Sequence, residues 1–105
     1  MGYKQIEERL IPTTQYAAPT TGQTVTVGSS GSTTLTINPA GTLATLTITM
    51  PSSPTDGDRV QFGTTQIVTG LTMNGGTIVG GLSTLAVGSG GTWVYNATSA
   101  SWIKM

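Results

Sequence analysis

The stretch Leu43-Ala-Thr-Leu-Thr-Ile-Thr-Met50 is the longest run of alternating apolar and polar residues in this chain of 105 residues. Successive side chains of a β-strand point to opposite faces, so every second residue from Ala44 to Met50 is apolar and shares one face. Threonines occupy the other face. The pattern predicts a strand with Ala44, Leu46, Ile48 and Met50 buried.

Shorter runs with the same period of two lie on both sides of this strand. Threonine supplies 22 of the 105 residues, and its branched Cβ fits a pleated surface. Turn-forming Gly, Pro and Ser separate the runs. Strands are predicted over residues 24–27, 33–37, 43–50, 59–62, 65–68, 77–79, 82–87, 91–95 and 101–105.

The turns between these runs suggest how the strands pair. Asp56-Gly57 and Asn74-Gly75 are dipeptides typical of hairpins. We therefore expect an all-β fold, a single small antiparallel β-sandwich or barrel of about 8–10 short strands with an extended N-terminal arm. No exact repeat period is visible, which argues against a regular solenoid.

The first 22 residues differ from the rest, so we divide the chain into an N-terminal arm and linker, 1–22, and a β domain, 23–105. Half of the eight charged residues lie in the first nine positions. Two helical turns before Pro12 would be too short to persist alone, so we expect the arm to order on a partner. The alternative is a frayed terminus without a role. The residues predicted to dock are Tyr3, Ile6, Arg9, Leu10 and Ile11.

The composition argues against catalysis. The chain has no His or Cys, and its four acidic and four basic residues give a net charge of zero. General acid–base and nucleophilic mechanisms need tuned titratable groups. Asp56 and Asp58 flank a glycine, where turn formation is the better interpretation than a Ca²⁺ site, which needs six or more oxygens. We expect no enzymatic activity, no cofactor and no metal.

Charge and hydropathy also restrict the partners. Without a basic excess there is no electrostatic footprint for nucleic acid, and no stretch is apolar for long enough to cross a membrane. The N-terminus lacks the apolar segment of a secretion signal, which favours synthesis in a cytoplasm. Leu, Ile, Val and Phe supply only 22 residues, so we expect a thin core supplemented by self-association.

Two features of the side chains leave alternatives open. Trp93 and Tyr95 share a strand face, and Trp102 can pair across from one of them. These aromatics form either a platform for a sugar ring or part of the core or a subunit interface. The Thr-x-Thr arrays are similar to ice-binding faces, but repeats across many strands are not visible, so ordinary solvent-facing threonines are expected.

From Thr49 to Met105 the order of signals resembles a module of tailed-bacteriophage virion proteins. The signals are a strand ending in Pro51, the turn Pro54-Thr-Asp-Gly-Asp58, a Gly-rich stretch from Gly70 to Gly81, and an aromatic hairpin containing Gly-Gly-Thr-Trp-Val-Tyr95 and Ser101-Trp-Ile-Lys104. Such modules occur in tail fibres and capsid decoration proteins, often as trimers.

The resemblance implies a capsid decoration (cement) protein that stabilises the outer surface of the shell. It would form a homo-oligomer, expected to be a trimer, and its arm would dock on the major capsid protein. Its location would be the virion surface after assembly in the host cytoplasm. The alternative is a short head or tail fibre subunit that recognises a host surface glycan. A third option is a bacterial surface or assembly module.

Overall fold

The computed structural model describes residues 13–28 and 31–105, which form strands, turns and loops without a helix. Accordingly, no helix of the described part is long and apolar enough to cross a membrane. The all-β prediction is confirmed. The nine strands of these residues are β1 (Thr13–Ala17), β2 (Thr24–Thr26), β3 (Ser32–Ile37), β4 (Leu46–Thr49), β5 (Arg59–Thr64), β6 (Leu71–Asn74), β7 (Thr77–Val79), β8 (Gly90–Asn96) and β9 (Ser101–Lys104).

The strands form two sheets between which the chain alternates. The larger sheet has the order β1-β3-β5-β8-β9-β7, and the smaller sheet has the order β2-β4-β6. From β1 to β6 each strand lies in the sheet opposite its predecessor, and neighbours within a sheet are parallel. A parallel pair needs a long crossover connection, and here a strand of the other sheet provides it. The result is a solenoid-like coil.

The predicted antiparallel sandwich or barrel is therefore wrong for the first six strands. Antiparallel pairing is confined to β5 with β8 and β8 with β9 among the described strands. The expectation failed because a period of two identifies a strand and its buried face, whichever direction its neighbour runs.

The solenoid was missed because its turns are unequal in length. Thr13 pairs with Thr33, 20 positions further along, whereas Ser32 pairs with Arg59, 27 positions further. Loops of different length absorb the difference, so the coil leaves no fixed period in the sequence.

The central strand β4 shows the predicted alternation. Leu46, Ile48 and Met50 are buried, and the threonines between them are half-buried. Ala44 lies before β4 and is exposed, so that part of the prediction is wrong. The core between the sheets consists of Val25, Val27, Leu35, Ile37, Leu43, Leu46, Ile48, Met50, Val60, Phe62, Val68, Leu71, Leu85, Trp93 and Trp102.

The C-terminal end of the coil is closed by the hairpin of β8 and β9. Asn96 Oδ1 accepts a hydrogen bond of 3.0 Å from Ser99 N in its turn. The segment before β8 covers the smaller sheet: Leu71 N donates to Ser83 O, and Val68 and Leu85 exchange two backbone hydrogen bonds. Both sheets thus have neighbours at this end.

The predicted and observed secondary structure differ in four segments. Residues 13–17, predicted as linker, form β1, so a boundary at residue 22 would separate β1 from its partner β3. Residues 71–74 form β6, which was not predicted. Residues 65–68 and 82–87 form no strand and contribute only isolated bridges at Val68 and Leu85.

The two hairpin dipeptides make corners between the sheets. Gly57 and Gly75 have φ angles of +87° and +95°, which glycine adopts without strain. Each follows a strand of the smaller sheet and leads into a strand of the larger one. Their turn propensity was identified correctly, but the two strands they join do not pair.

Candidate binding surfaces

The acidic residues of the β domain serve turns. Asp58 is buried, and its Oδ2 accepts a hydrogen bond of 2.9 Å from Thr55 N. Asp56 Oδ1 accepts one of 2.8 Å from Ala97 N, which ties this turn to the β8–β9 turn. Within the described residues no three acidic side chains come together in a group that could hold a metal ion. The two carboxylates stabilise the corner before β5.

The predicted aromatic cluster is divided between two contacts inside the fold. Trp93 stacks on Phe62 with ring centroids 5.0 Å apart and planes 11° apart. Trp102 pairs with Tyr95 across the hairpin, with centroids 5.2 Å apart and planes inclined by 60°. Trp93 is 0% and Trp102 1% exposed. Neither indole face is accessible to a sugar, so the burial of the two tryptophans favours the core interpretation. Tyr95 is half-buried.

The two indole N–H groups are an unusual feature of this core. Both Nε1 atoms are buried, and neither has a hydrogen-bond partner among the described residues. Burying an unpaired donor costs about 1–3 kcal/mol. The aromatic contacts and the buried area of the rings must offset that cost.

The N-terminal end of the coil has open sheet edges. Strands β1 and β2 are the first strands of their sheets, and no described strand pairs with their outer edges. Asn38 N donates to Ala17 O. By the alternation of a parallel ladder, the backbone groups of Thr14 and Tyr16 then point to the free side. Such an edge is a template for a further strand.

One side chain blocks part of the β2 edge. Val27 N donates to Thr49 O in β4, so the flanking Thr26 O and Gly28 N point away from that strand. Gln15 Nε2 donates to Thr26 O at 2.9 Å, and Gln15 Oε1 accepts from Gly28 N at 3.0 Å. The amide of Gln15 thus takes the place of a neighbouring strand and links β1 to β2.

A shallow groove of about 570 Å³ lies on the larger sheet, where β3, β5 and the start of β8 meet. Sequence reasoning missed it, because its residues are far apart in the chain and none is charged. Register would reveal them, since Thr36 pairs with Gly63 and Gly63 with Gly90. Its polar lining includes the side chains of Thr34, Thr36, Gln61 and Thr92.

The smaller sheet has a regular threonine face, which depends on the register between strands and was not predicted from the sequence. Thr24, Thr47 and Thr72 are register partners in one row, and Thr26, Thr49 and Asn74 form the next. These rows extend over three strands, fewer than the many strands that an ice-binding face requires. The array ends after these three strands in the described residues, so we retain the interpretation of a solvent-facing threonine surface.

The predicted docking residues of the arm, Tyr3, Ile6, Arg9, Leu10 and Ile11, lie outside the described residues. The described chain begins at Thr13, in the edge strand of the larger sheet. Their role therefore stays a prediction.

Comparisons with models of protein families, with curated proteins and with solved structures find no match for this chain. Function is therefore inferred from the chain's own residues and geometry, together with the resemblance of residues 49–105 to virion modules.

Proposed function

We propose that this chain is a non-enzymatic virion protein that decorates the outer surface of a tailed-phage capsid. It binds the major capsid protein through its N-terminal end, as a homotrimer assembled in the host cytoplasm. The observation that carries the proposal is the free edge of β1, which lies directly after the predicted docking arm.

The edge provides a defined mode of attachment. An extended segment of a shell subunit would pair with the backbone groups of Thr14 and Tyr16, as in β-strand addition. Each hydrogen bond contributes only about 0.5–1.5 kcal/mol net. Repetition across a symmetric shell, with several arms in each oligomer, converts such weak contacts into stable attachment.

The geometry of the edge separates self-association from shell binding. Two copies that paired through β1 would form an isologous contact, which closes as a dimer. A trimer that forms through another surface leaves β1 available for a different protein. The proposed trimer and the proposed shell contact are therefore compatible.

The test uses two proline substitutions in the edge strand. Proline removes a backbone N–H and is tolerated in a strand only where that N–H faces outward. We expect Thr14→Pro to leave the fold intact and to reduce binding to decoration-free capsids at least tenfold. The matched control Ala17→Pro removes an N–H on the side of β3 without deleting a polar side chain, so it should lower thermal stability.

A truncation lacking residues 1–11 should stay folded and oligomeric but bind capsids weakly. Quantitative mass spectrometry of purified virions then fixes the role. A copy number comparable to that of the major capsid protein supports decoration. A far smaller number supports the alternative, a fibre or receptor-binding subunit, and absence from virions contradicts both.

A further inference from the structure

We propose that the groove on the larger sheet is a binding site for a neutral glycan. The proposal does not depend on capsid attachment, because the groove and the free β1 edge use different groups. It also places a glycan site away from Trp93 and Trp102, which are buried.

The groove has a floor of backbone. Gly63 and Gly90 are register partners in β5 and β8, and neither has a side chain to fill the depression. A Cβ on Gly90 would collide with the carbonyl oxygen of Phe62. A Cβ on Gly63 would meet only Ser89 O, at 3.7 Å. Glycine is therefore required for the fold at position 90, whereas at position 63 it leaves open space.

The groove is bordered by polar side chains that are available to a ligand. Thr34, Thr36, Gln61 and Thr92 line it, and none of their side chains forms a hydrogen bond within the described part of the chain. Hydroxyl and amide groups both donate and accept hydrogen bonds. Sugar hydroxyls have the same dual capacity, so this lining matches them better than it matches an ion.

An exposed aromatic ring stands beside the groove. Tyr16 pairs in register with Thr36, and its side chain is 65% exposed. Tyr16 Oη accepts a hydrogen bond of 2.9 Å from Asn38 Nδ2, and Asn38 Oδ1 accepts one of 2.7 Å from Thr65. Thr65 itself lines the groove, so this chain of contacts holds the ring at its border.

The polar lining together with the ring of Tyr16 indicates a sugar as the ligand. An aromatic ring covers the apolar face of a sugar, while the hydroxyl and amide groups bond its edge. The volume of about 570 Å³ lies within the range of ligand sites, roughly 300–1,000 Å³. No charged residue lines the groove, which favours neutral over acidic sugars.

The experiment measures binding of the full chain to immobilised oligosaccharides, with neutral members and sialylated or uronic-acid members in one panel. We expect binding to neutral members only, confirmed by titration calorimetry. Gly63→Val fills the floor and should weaken binding at least tenfold, about 1.4 kcal/mol. Tyr16→Ala should weaken it about fivefold through lost stacking. Tyr16→Phe should weaken it by no more than about twofold, because the ring is kept and only the hydrogen bond from Asn38 is lost.

Two controls separate the site from the fold and from shell attachment. Thr72→Ala changes an exposed threonine on the opposite sheet and should leave glycan binding unchanged. Gly63→Val should retain the melting temperature and capsid binding. Absence of neutral-glycan binding, binding of acidic members alone, or full binding by Gly63→Val would each overturn the proposal. Loss of capsid binding by Thr14→Pro with glycan binding retained would show that the two functions are separate.

Discussion

The two ends of the solenoid-like coil are built in opposite ways. At the C-terminal end, the β8–β9 hairpin extends the larger sheet and residues 83–85 cover the smaller one. At the N-terminal end, β1 and β2 have free outer edges in the described structure, apart from the amide of Gln15. The C-terminal end therefore has more of its sheet edges covered than the N-terminal end, although the outer edge of β7 has no described partner strand.

The difference follows from where the large side chains lie. Trp93, Trp102 and Leu85 are at most 2% exposed and belong to the closed end or its border with the coil. At the open end the largest side chain is Tyr16, which projects outward. Stacked repeats need terminal caps to remain soluble, and within residues 13–28 and 31–105 the covering segments lie at the C-terminal end.

The largest effect is expected at the closed end, from Trp93→Ala. Removing a fully buried indole that stacks on Phe62 should cost about 3–5 kcal/mol, measured by urea unfolding. The matched change at the open end, Tyr16→Ala, should cost no more than about 1 kcal/mol, one exposed hydrogen bond. Equal costs would contradict the contrast between the ends.

An intermediate effect is expected from Gly91→Ala. Its Cβ would lie 2.8 Å from Trp93 Cη2, and overpacking of this kind costs about 1–3 kcal/mol. Gly63→Ala, whose Cβ has only an ordinary contact, serves as the control and should be neutral or slightly stabilising. Calorimetric melting measures both, and a stable Gly91→Ala variant would mean that the indole moves aside readily.

The smallest effect is expected at the open end, from Gln15→Ala. Loss of the two hydrogen bonds to Thr26 O and Gly28 N should cost about 1 kcal/mol, a fall of roughly 4–8 °C in melting temperature. Gln15→Glu should cost at least as much, because a carboxylate cannot donate to Thr26 O. Gln61→Ala, an exposed glutamine in the groove, is the control. A neutral Gln15→Glu would show that the amide does not link the sheets.

The sequence predicted strands and faces better than it predicted their partners. Leu46, Ile48 and Met50 are buried as expected, because alternation is a local property. The neighbour of β4 in the smaller sheet is β2 on one side and β6 on the other, and nothing in the local pattern specifies either. Unequal turns of the coil removed the repeat signal that would have indicated parallel stacking.

The candidate site was less predictable than the fold. The groove combines residues of β3, β5 and β8 whose positions in the chain differ by up to several tens of residues. Its floor consists of glycines, which sequence reasoning treats as turn signals. The residue type of the tryptophans suggested either a sugar platform or a core position. Their exposure could be decided only from the packing of the hairpin.

The amide of Gln15 has a consequence for aggregation through the sheet edges. An unpaired strand edge is a template for pairing with another chain, and aggregation through it is hindered where a side chain covers the edge. Gln15 occupies Thr26 O and Gly28 N on the smaller sheet, so only the larger sheet can accept a strand there. At the opposite edge of the larger sheet, β7 also has an outer side with no described partner strand. One glutamine thus removes part of the edge of β2 from strand pairing and leaves the edge of β1 open.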